Sequence, residues 1–186
     1  MRRAGALLAA GGSTRFGPGD KLLAPWRGRP LVTWAADALR AAGCDGLLAV
    51  VSSPAVAAVL PADFSVNALP PGGAMSASFK HAVRWAQQGG ADGLLLCLGD
   101  MPNVSPALLR RLLDLPGSGA CAQGHRRLPP VHIAAGDFAR VLAAPEGDHG
   151  ARALVAALPG DRLIPVSRRA AHDIDRPVDL EAISAR

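Results

Sequence analysis

The sequence predicts one α/β domain built on a mainly parallel sheet that is covered on both faces. Short, continuously apolar runs alternate with amphipathic stretches along the chain. Continuous apolar runs mark strands buried on both sides, which is the habit of parallel sheets. The chain has 186 residues, 49% of them apolar, which is enough for one sizeable core. No internal repeat, low-complexity tract or linker interrupts the pattern, so residues 1–186 read as a single domain.

Residues 4–10 read as the first strand and residues 11–20 as a loop. Residues 31–42 follow a helical period and stop at Gly43, in a C-cap position. A strand at 47–51, a short helix at 55–60 and a short strand at 64–67 come next. Pro70-Pro71-Gly72-Gly73 is a break. Residues 76–88 are helical in period until Gly89-Gly90 stops them. Residues 94–98 form a wholly apolar strand that ends at Gly99-Asp100. A helix over 105–115 follows, with Ser105 as N-cap and Pro106 in the first turn. Beyond Pro116 the pattern weakens. It places strands at 120–122, 131–134 and 163–166, and helices at 137–143, 151–158 and 178–183.

Composition excludes several functions. Charged residues are 19% and mean hydropathy is +0.20, which excludes wholesale disorder. No apolar run reaches the roughly 18 residues that a membrane span needs. Aromatic residues are 4%, with no Tyr, a poor endowment for stacking single-stranded nucleic acid. The net charge of +5 is nearly all Arg, the only lysines being Lys21 and Lys80. The arginine pairs are scattered and form no basic block, so neither nucleic acid nor a membrane is an expected partner. Cys44, Cys97 and Cys121 cannot complete a disulfide framework and include no C-x-x-C pair. The opening MRRAGALLAAGG faintly imitates a signal peptide, but its apolar run is short and enters a glycine loop; a cytoplasmic location is expected.

In α/β sheets, ligands sit beyond the carboxyl ends of the strands, which directs attention to the residues after Ala10, Leu98 and Val166. After Ala10 comes Gly11-Gly12-Ser13-Thr14-Arg15-Phe16-Gly17-Pro18-Gly19-Asp20-Lys21. This is neither G-x-G-x-x-G nor a Walker A loop, because the glycine spacing differs and Pro18 follows Gly17. Its chemistry still suits phosphate. Glycines let backbone N–H groups approach a ligand, Arg15 offers a planar fork, and Lys21 adds a point charge. The rival reading is a glycine-rich turn with solvated charges.

After Leu98, Asp100 stands at a strand end where a carboxylate can hold Mg²⁺ together with substrate phosphates; its rival role is to cap the next helix. Near the C-terminus, Asp173 and Asp175 face the same way if extended. Asp175 can complete a metal site with Asp100, while Asp179 suits the first turn of the last helix. The histidines offer no convincing catalyst: His81 reads as a helix surface residue, His132 as core or edge, and the others as loop residues. No H-E-x-x-H or G-x-S-x-G occurs, which disfavours a zinc or serine hydrolase.

Together these pieces resemble one family. LLAAGGSTRFGPGDKLLAPWRGRPLV is similar to the opening signature of the MobA-like nucleotidyltransferases, closest to their molybdenum cofactor cytidylyltransferase branch. LCLGDMPNV resembles the family's metal-binding strand end, and GDHGAR and DIDRPVDL its late motifs, in the family's order. The resemblance implies a Rossmann-like fold of three α/β/α layers. It implies a nucleoside triphosphate, CTP favoured, bound by Ala9, Ala10, Gly11, Gly12, Ser13, Arg15 and Lys21, with Arg15 and Lys21 on the phosphates. It implies Mg²⁺ on Asp100 and Asp175, and Arg15, Lys21 and Asp100 as the catalytic set. Residues 73–78 match the segment that lines the nucleotide pocket, where Ser76 or Ser78 would cap the following helix and touch base or ribose. Ala9-Ala10-Gly11, in place of Ala-Gly-Gly, looks cytidylyl rather than guanylyl.

The implied reaction moves a nucleotidyl group to a phosphorylated small-molecule acceptor such as molybdopterin and releases pyrophosphate. A molybdoenzyme or its chaperone is the implied protein partner. The alternatives are a cofactor-binding accessory domain without activity, or a guanylyl or sugar-phosphate transferase of the same family. The chain departs from the family at Phe16, where Met is usual, and at Leu128-Pro129-Pro130-Val131, which lacks the glycine of a Gly-x-Pro-Val stretch near the acceptor site.

Overall fold

The chain winds its strands outward in both directions from the first one. The computed structural model describes residues 1–11, 16–17, 19–145 and 152–184. Its strands are β1 (Arg3–Ala9), β2 (Pro25–Trp26), β3 (Arg29–Pro30), β4 (Gly46–Val51), β5 (Ser65–Ala68), β6 (Gly93–Leu98), β7 (Gly119–Gln123), β8 (Arg126–Ala134) and β9 (Leu163–Pro165). Its α-helices are α1 (Leu31–Arg40), α2 (Pro54–Ala58), α3 (Met75–Gln88), α4 (Pro106–Leu113), α5 (Phe138–Ala143), α6 (Arg152–Ala156) and α7 (Pro177–Ser184).

One seven-stranded sheet runs in the order β5-β4-β1-β6-β8-β7-β9. The pairs β5–β4, β4–β1, β1–β6 and β7–β9 are parallel, and β8 is antiparallel to both β6 and β7. Alternation along β1 divides the core. Leu7 and Ala9 join a cluster with Val32, Ala36 and Leu39 of α1 and Leu109 and Leu112 of α4. Ala6 and Leu8 join a cluster on the other face with Phe79, Ala82 and Val83 of α3, Val141 of α5 and Leu154 of α6. The sheet is therefore the middle of three layers, as expected for a Rossmann-like nucleotidyltransferase fold.

Two features escaped the sequence pattern. The expected strand at 131–134 begins at Arg126, because the turn at Gly124 (φ +57°) folds β8 back on β7. Arg127, unexpected within a strand, donates from Nη1 to the carbonyls of Val155 and Ala156 and so ties β8 to the end of α6. The second feature is the short hairpin β2–β3 within the stretch between the glycine loop and α1. Its turn places Arg27 (φ +50°) and Gly28 (φ +78°) in the left-handed region, as tight hairpin turns require.

Candidate active site

β1 and β6 are neighbours, so their carboxyl ends open side by side. Beyond β1 the chain returns at Asp20, whose Oδ1 accepts the Leu22 N–H at 3.0 Å and caps the 3₁₀ turn Lys21–Leu23. That turn aims Lys21, only 8% exposed, back towards the sheet edge. Beyond β6, the Gly99 N–H donates to the Leu8 carbonyl at 3.0 Å. A Cβ on Gly99 would stand 3.2 Å from Val32 Cγ2, 3.3 Å from Leu22 Cδ2 and 3.4 Å from the Ala9 Cβ. Glycine lets the strand end press against the first loop and carry Asp100 to Lys21.

The C-terminal motif arrives on a separate anchor. Ile174 is fully buried against Trp26 and Leu31, and its N–H donates to the Asp100 carbonyl at 3.0 Å. Asp179 Oδ2 accepts the N–H groups of Asp175 (2.9 Å) and Arg176 (2.7 Å). This serves the first turn of α7 as the sequence suggested, and it also sets the backbone that presents Asp175.

Three charges then converge. Lys21 Nζ donates to Asp100 Oδ2 at 2.7 Å and to Asp175 Oδ1 at 3.4 Å. Burial raises the Asp100 carboxyl above its ordinary range against the pull of Lys21, and the Asp173 charge adds to the rise. Burial also works against the Lys21 ammonium, but the charges of Asp100 and Asp175 outweigh it and hold the pKa above the usual lysine value. Desolvation thus prevails at the carboxyl and charge pairing at the ammonium.

These groups sit at the rim of an open cavity of about 280 Å³. Ala9, Ala10, Gly11, Lys21, Ser78 and Asp100, which the resemblance assigned to the nucleotide, line it together with Asp175, which it assigned to the metal. Gly73 and Met75, both within the segment 73–78 that the resemblance placed at the nucleotide pocket, line it as well, as does Asp173, which was visible in the D-I-D alternation. Gly12, Ser13 and Arg15 lie outside the described residues, as do residues 147–151 of the GDHGAR motif.

One expectation is corrected. Neither Ser76 nor Ser78 caps α3: its N-cap is Ala74, with no side-chain cap bond. The two serines fall at the second and fourth helical positions, from which a side chain does not reach the first free N–H groups as an N-cap does. Ser76 is buried inside the helix at 1% exposure and does not line the cavity.

The rival role of Asp100 fails, because Ser105 Oγ caps α4 by accepting the Leu108 N–H at 3.2 Å. His132 is a satisfied interior residue whose Nδ1 meets the Gly117 carbonyl at 3.0 Å. It pairs with Leu95 of β6, while the cavity lies beyond that strand's other end.

The site has the donors a hard divalent cation needs. Asp100 Oδ1 is buried and has no hydrogen-bond partner among the described residues, while its other oxygen is held by Lys21. Among the described residues, no group of three or more His, Cys, Asp or Glu side chains forms a ready cation cage. One or two carboxylates completed by substrate phosphates is the usual arrangement for Mg²⁺, and Asp100 with Asp175 fits it.

The fold that carries this site has counterparts among solved structures. One is a nucleotidyl transferase from Methanothermobacter thermautotroptrophicus (TM-score 0.83, 26% identity, 98% of this chain and 95% of that one). Another is Rv0371c of Mycobacterium tuberculosis (TM-score 0.82, 28% identity, 100% of both chains), which has also been solved in complex with manganese (TM-score 0.80, 98% of both chains). These define the class as Rossmann-like nucleotidyltransferases. The chain belongs to the MobA-like NTP transferase domain family, whose model matches residues 5–163.

Among curated relatives, a molybdenum cofactor guanylyltransferase of Cereibacter sphaeroides is 38% identical over 154 residues, 78% of each chain. Nicotine blue oxidoreductase of Paenarthrobacter nicotinovorans is 31% identical over 160 residues, 80% of this chain and 78% of that one. Among the described residues, no helix is long and apolar enough to cross a membrane.

Proposed function

We propose that this chain transfers a nucleotidyl group from a nucleoside triphosphate to a phosphorylated acceptor of the molybdenum cofactor type and releases pyrophosphate. The observation that carries the reading is the meeting of Lys21, Asp100 and Asp175, from three distant segments, at the rim of one cavity. An oxygen of the acceptor phosphate attacks the α-phosphorus in line with the departing pyrophosphate. One P–O bond forms as another breaks, and the electron pair leaves with pyrophosphate. A phosphate acceptor is already ionised at neutral pH, so no general base is required, in keeping with the interior place of His132.

Catalysis then consists of positioning and charge neutralisation. Residues 9–11 and Ser78 line the cavity that would take the nucleotide. Lys21 and Arg15 serve the triphosphate, and Asp100 and Asp175 hold a divalent cation, Mg²⁺ in the cell. When bound, that cation supplies counter-charge to the phosphate oxygens. The manganese complex of Rv0371c supports divalent-cation dependence.

Two observations bear on the base. The 38% identical relative supports GTP, while Ala9-Ala10-Gly11 supports CTP; the transfer step is common to both. Delivery of the product to a molybdoenzyme or its chaperone is the encounter this reading calls for next.

Thermal-shift titration with the four nucleoside triphosphates and Mg²⁺ reads the donor. A ligand at a hundred times its Kd adds roughly 2.7 kcal/mol of stability. Pyrophosphate release with the preferred donor and acceptor reads the reaction. Asp100→Ala should lower turnover by at least about a hundredfold, the scale of losing one key electrostatic group. Undiminished turnover would remove Asp100 from the mechanism. The oxidoreductase relative supports a second reading on the same scaffold. NAD and NADP in the same titration test it, and the absence of G-x-G-x-x-G predicts no shift.

A further inference from the structure

The geometry points to a second role for Lys21: its ammonium competes with the divalent cation for the Asp100–Asp175 pair, so that the cation enters with the nucleotide and not ahead of it. The inference rests on the proposed reading of those two carboxylates as cation ligands.

Lys21 Nζ takes one oxygen from each carboxylate, Asp100 Oδ2 at 2.7 Å and Asp175 Oδ1 at 3.4 Å. All three side chains are largely withdrawn from water, at 10%, 17% and 30% exposure. The ammonium offsets one of the two carboxylate charges that would hold a doubly charged ion, while the Asp173 charge stays nearby and unpaired with it in either state. The ammonium itself repels that ion at short range, where dissolved salt screens little. A free cation therefore meets a pair that is already neutralised in part and held by hydrogen bonds.

Lys21 is also suited to leave. Its charge rides on a flexible four-carbon stem with rotatable donors, carried by a single 3₁₀ turn. A triphosphate is a more negative partner than two carboxylates. As the ammonium passes to the phosphates, Asp100 Oδ2 and Asp175 Oδ1 give up their bonds to Lys21 beside the buried Asp100 Oδ1, which has no partner among the described residues. By linkage, nucleotide then raises cation affinity, and cation raises nucleotide affinity by the same factor.

The test measures Mn²⁺ binding without nucleotide, by loss of the free-ion electron paramagnetic resonance signal. It compares the wild type with Lys21→Met, Lys21→Gln and Lys21→Arg, each alone and combined with Asp100→Asn; two neutral replacements guard against one that fails to fold. Competition predicts that Met and Gln tighten Mn²⁺ binding by about tenfold or more, an ordinary coupling between sites. Arg should keep the wild-type affinity, and Asp100→Asn should abolish the gain. Unchanged or weaker binding in Lys21→Met and Lys21→Gln overturns the competition, and weaker binding would make Lys21 a positioning residue for Asp100 instead. Two failures are distinguishable. Mn²⁺ binding that needs Asp100 but ignores Lys21 removes only the competition. Binding that ignores Asp100 in every form removes the carboxylate reading and the competition with it.

Discussion

The attachment of Asp175 depends on one side chain, and Ile174→Ala measures that dependence. Ile174 is fully buried in a small cluster with Trp26 and Leu31, apart from the two larger clusters of the sheet. Truncation to Ala removes three carbons, about 2.4 kcal/mol at about 0.8 kcal/mol per buried methylene. A cavity that cannot fully collapse adds to this, within the range of about 2–5 kcal/mol for such changes. The Ile174 N–H also holds the Asp100 carbonyl at 3.0 Å, so a loosened Ile174 displaces Asp173 and Asp175 from the cavity rim. We expect Ile174→Ala to lose about 3 kcal/mol in urea denaturation, with nucleotide and Mn²⁺ affinities falling alongside. Ile174→Val should lose about 0.5–1.5 kcal/mol and keep both affinities. A loss below about 1 kcal/mol in Ile174→Ala, or wild-type affinities despite a large loss, would refute the claim that this anchor positions the acidic tip.

Three further outcomes follow from the same geometry. Gly99→Ala places a Cβ 3.2–3.4 Å from Val32, Leu22 and Ala9 and should cost about 1–3 kcal/mol, the usual penalty of overpacking, with reduced kcat measured by pyrophosphate release. Asp179→Ala removes the acceptor of two N–H groups and should cost about 1 kcal/mol, as lost caps do. Although burial of Asp179 works against its charged form, those N–H groups hold its pKa below 3.8; its stabilisation is present above pH 3.8 and disappears as pH falls through the folded value, so wild-type and variant denaturation curves should converge in acid. Burial holds the His132 pKa below 6.5, so below that pH the unfolded chain binds the proton first. Wild-type stability should drop as pH falls from 6.5 towards the folded value, and His132→Gln should remove that part of the pH profile.

The sequence exposed what depends on local pattern and concealed what depends on distant pairing. The buried strands β1, β4 and β6 and the helices α1, α3 and α4 declare themselves through apolar runs, periodicity, Gly43 and Ser105. The first five residues of β8, Arg-Arg-Leu-Pro-Pro, carry no strand signal, because β7 and the last turn of α6 hold them in place. At the site, Lys21, Asp100 and Asp175 were readable because lysine is rare in this chain and the two carboxylates follow strand-end or alternating patterns. Their separations of 2.7 and 3.4 Å were not, since they depend on Gly99 and Ile174 packing against residues far away in the chain. The capping role expected of the serines failed for a simpler reason: helix α3 starts one residue before Ser76, which puts both serines inside the helix, although Ser78 still lines the cavity.

Following the α-phosphate itself tests the account most directly. Nucleoside triphosphate labelled with ³²P at the α-position is incubated with the cofactor acceptor, Mg²⁺ and either the wild type or Asp100→Asn. The account predicts label transferred to the acceptor, with an equal amount of pyrophosphate, in the wild type and at least about a hundredfold less in the variant. Label transfer of equal rate in both proteins, or no transfer with any of the four nucleotides by a folded wild type, would contradict it.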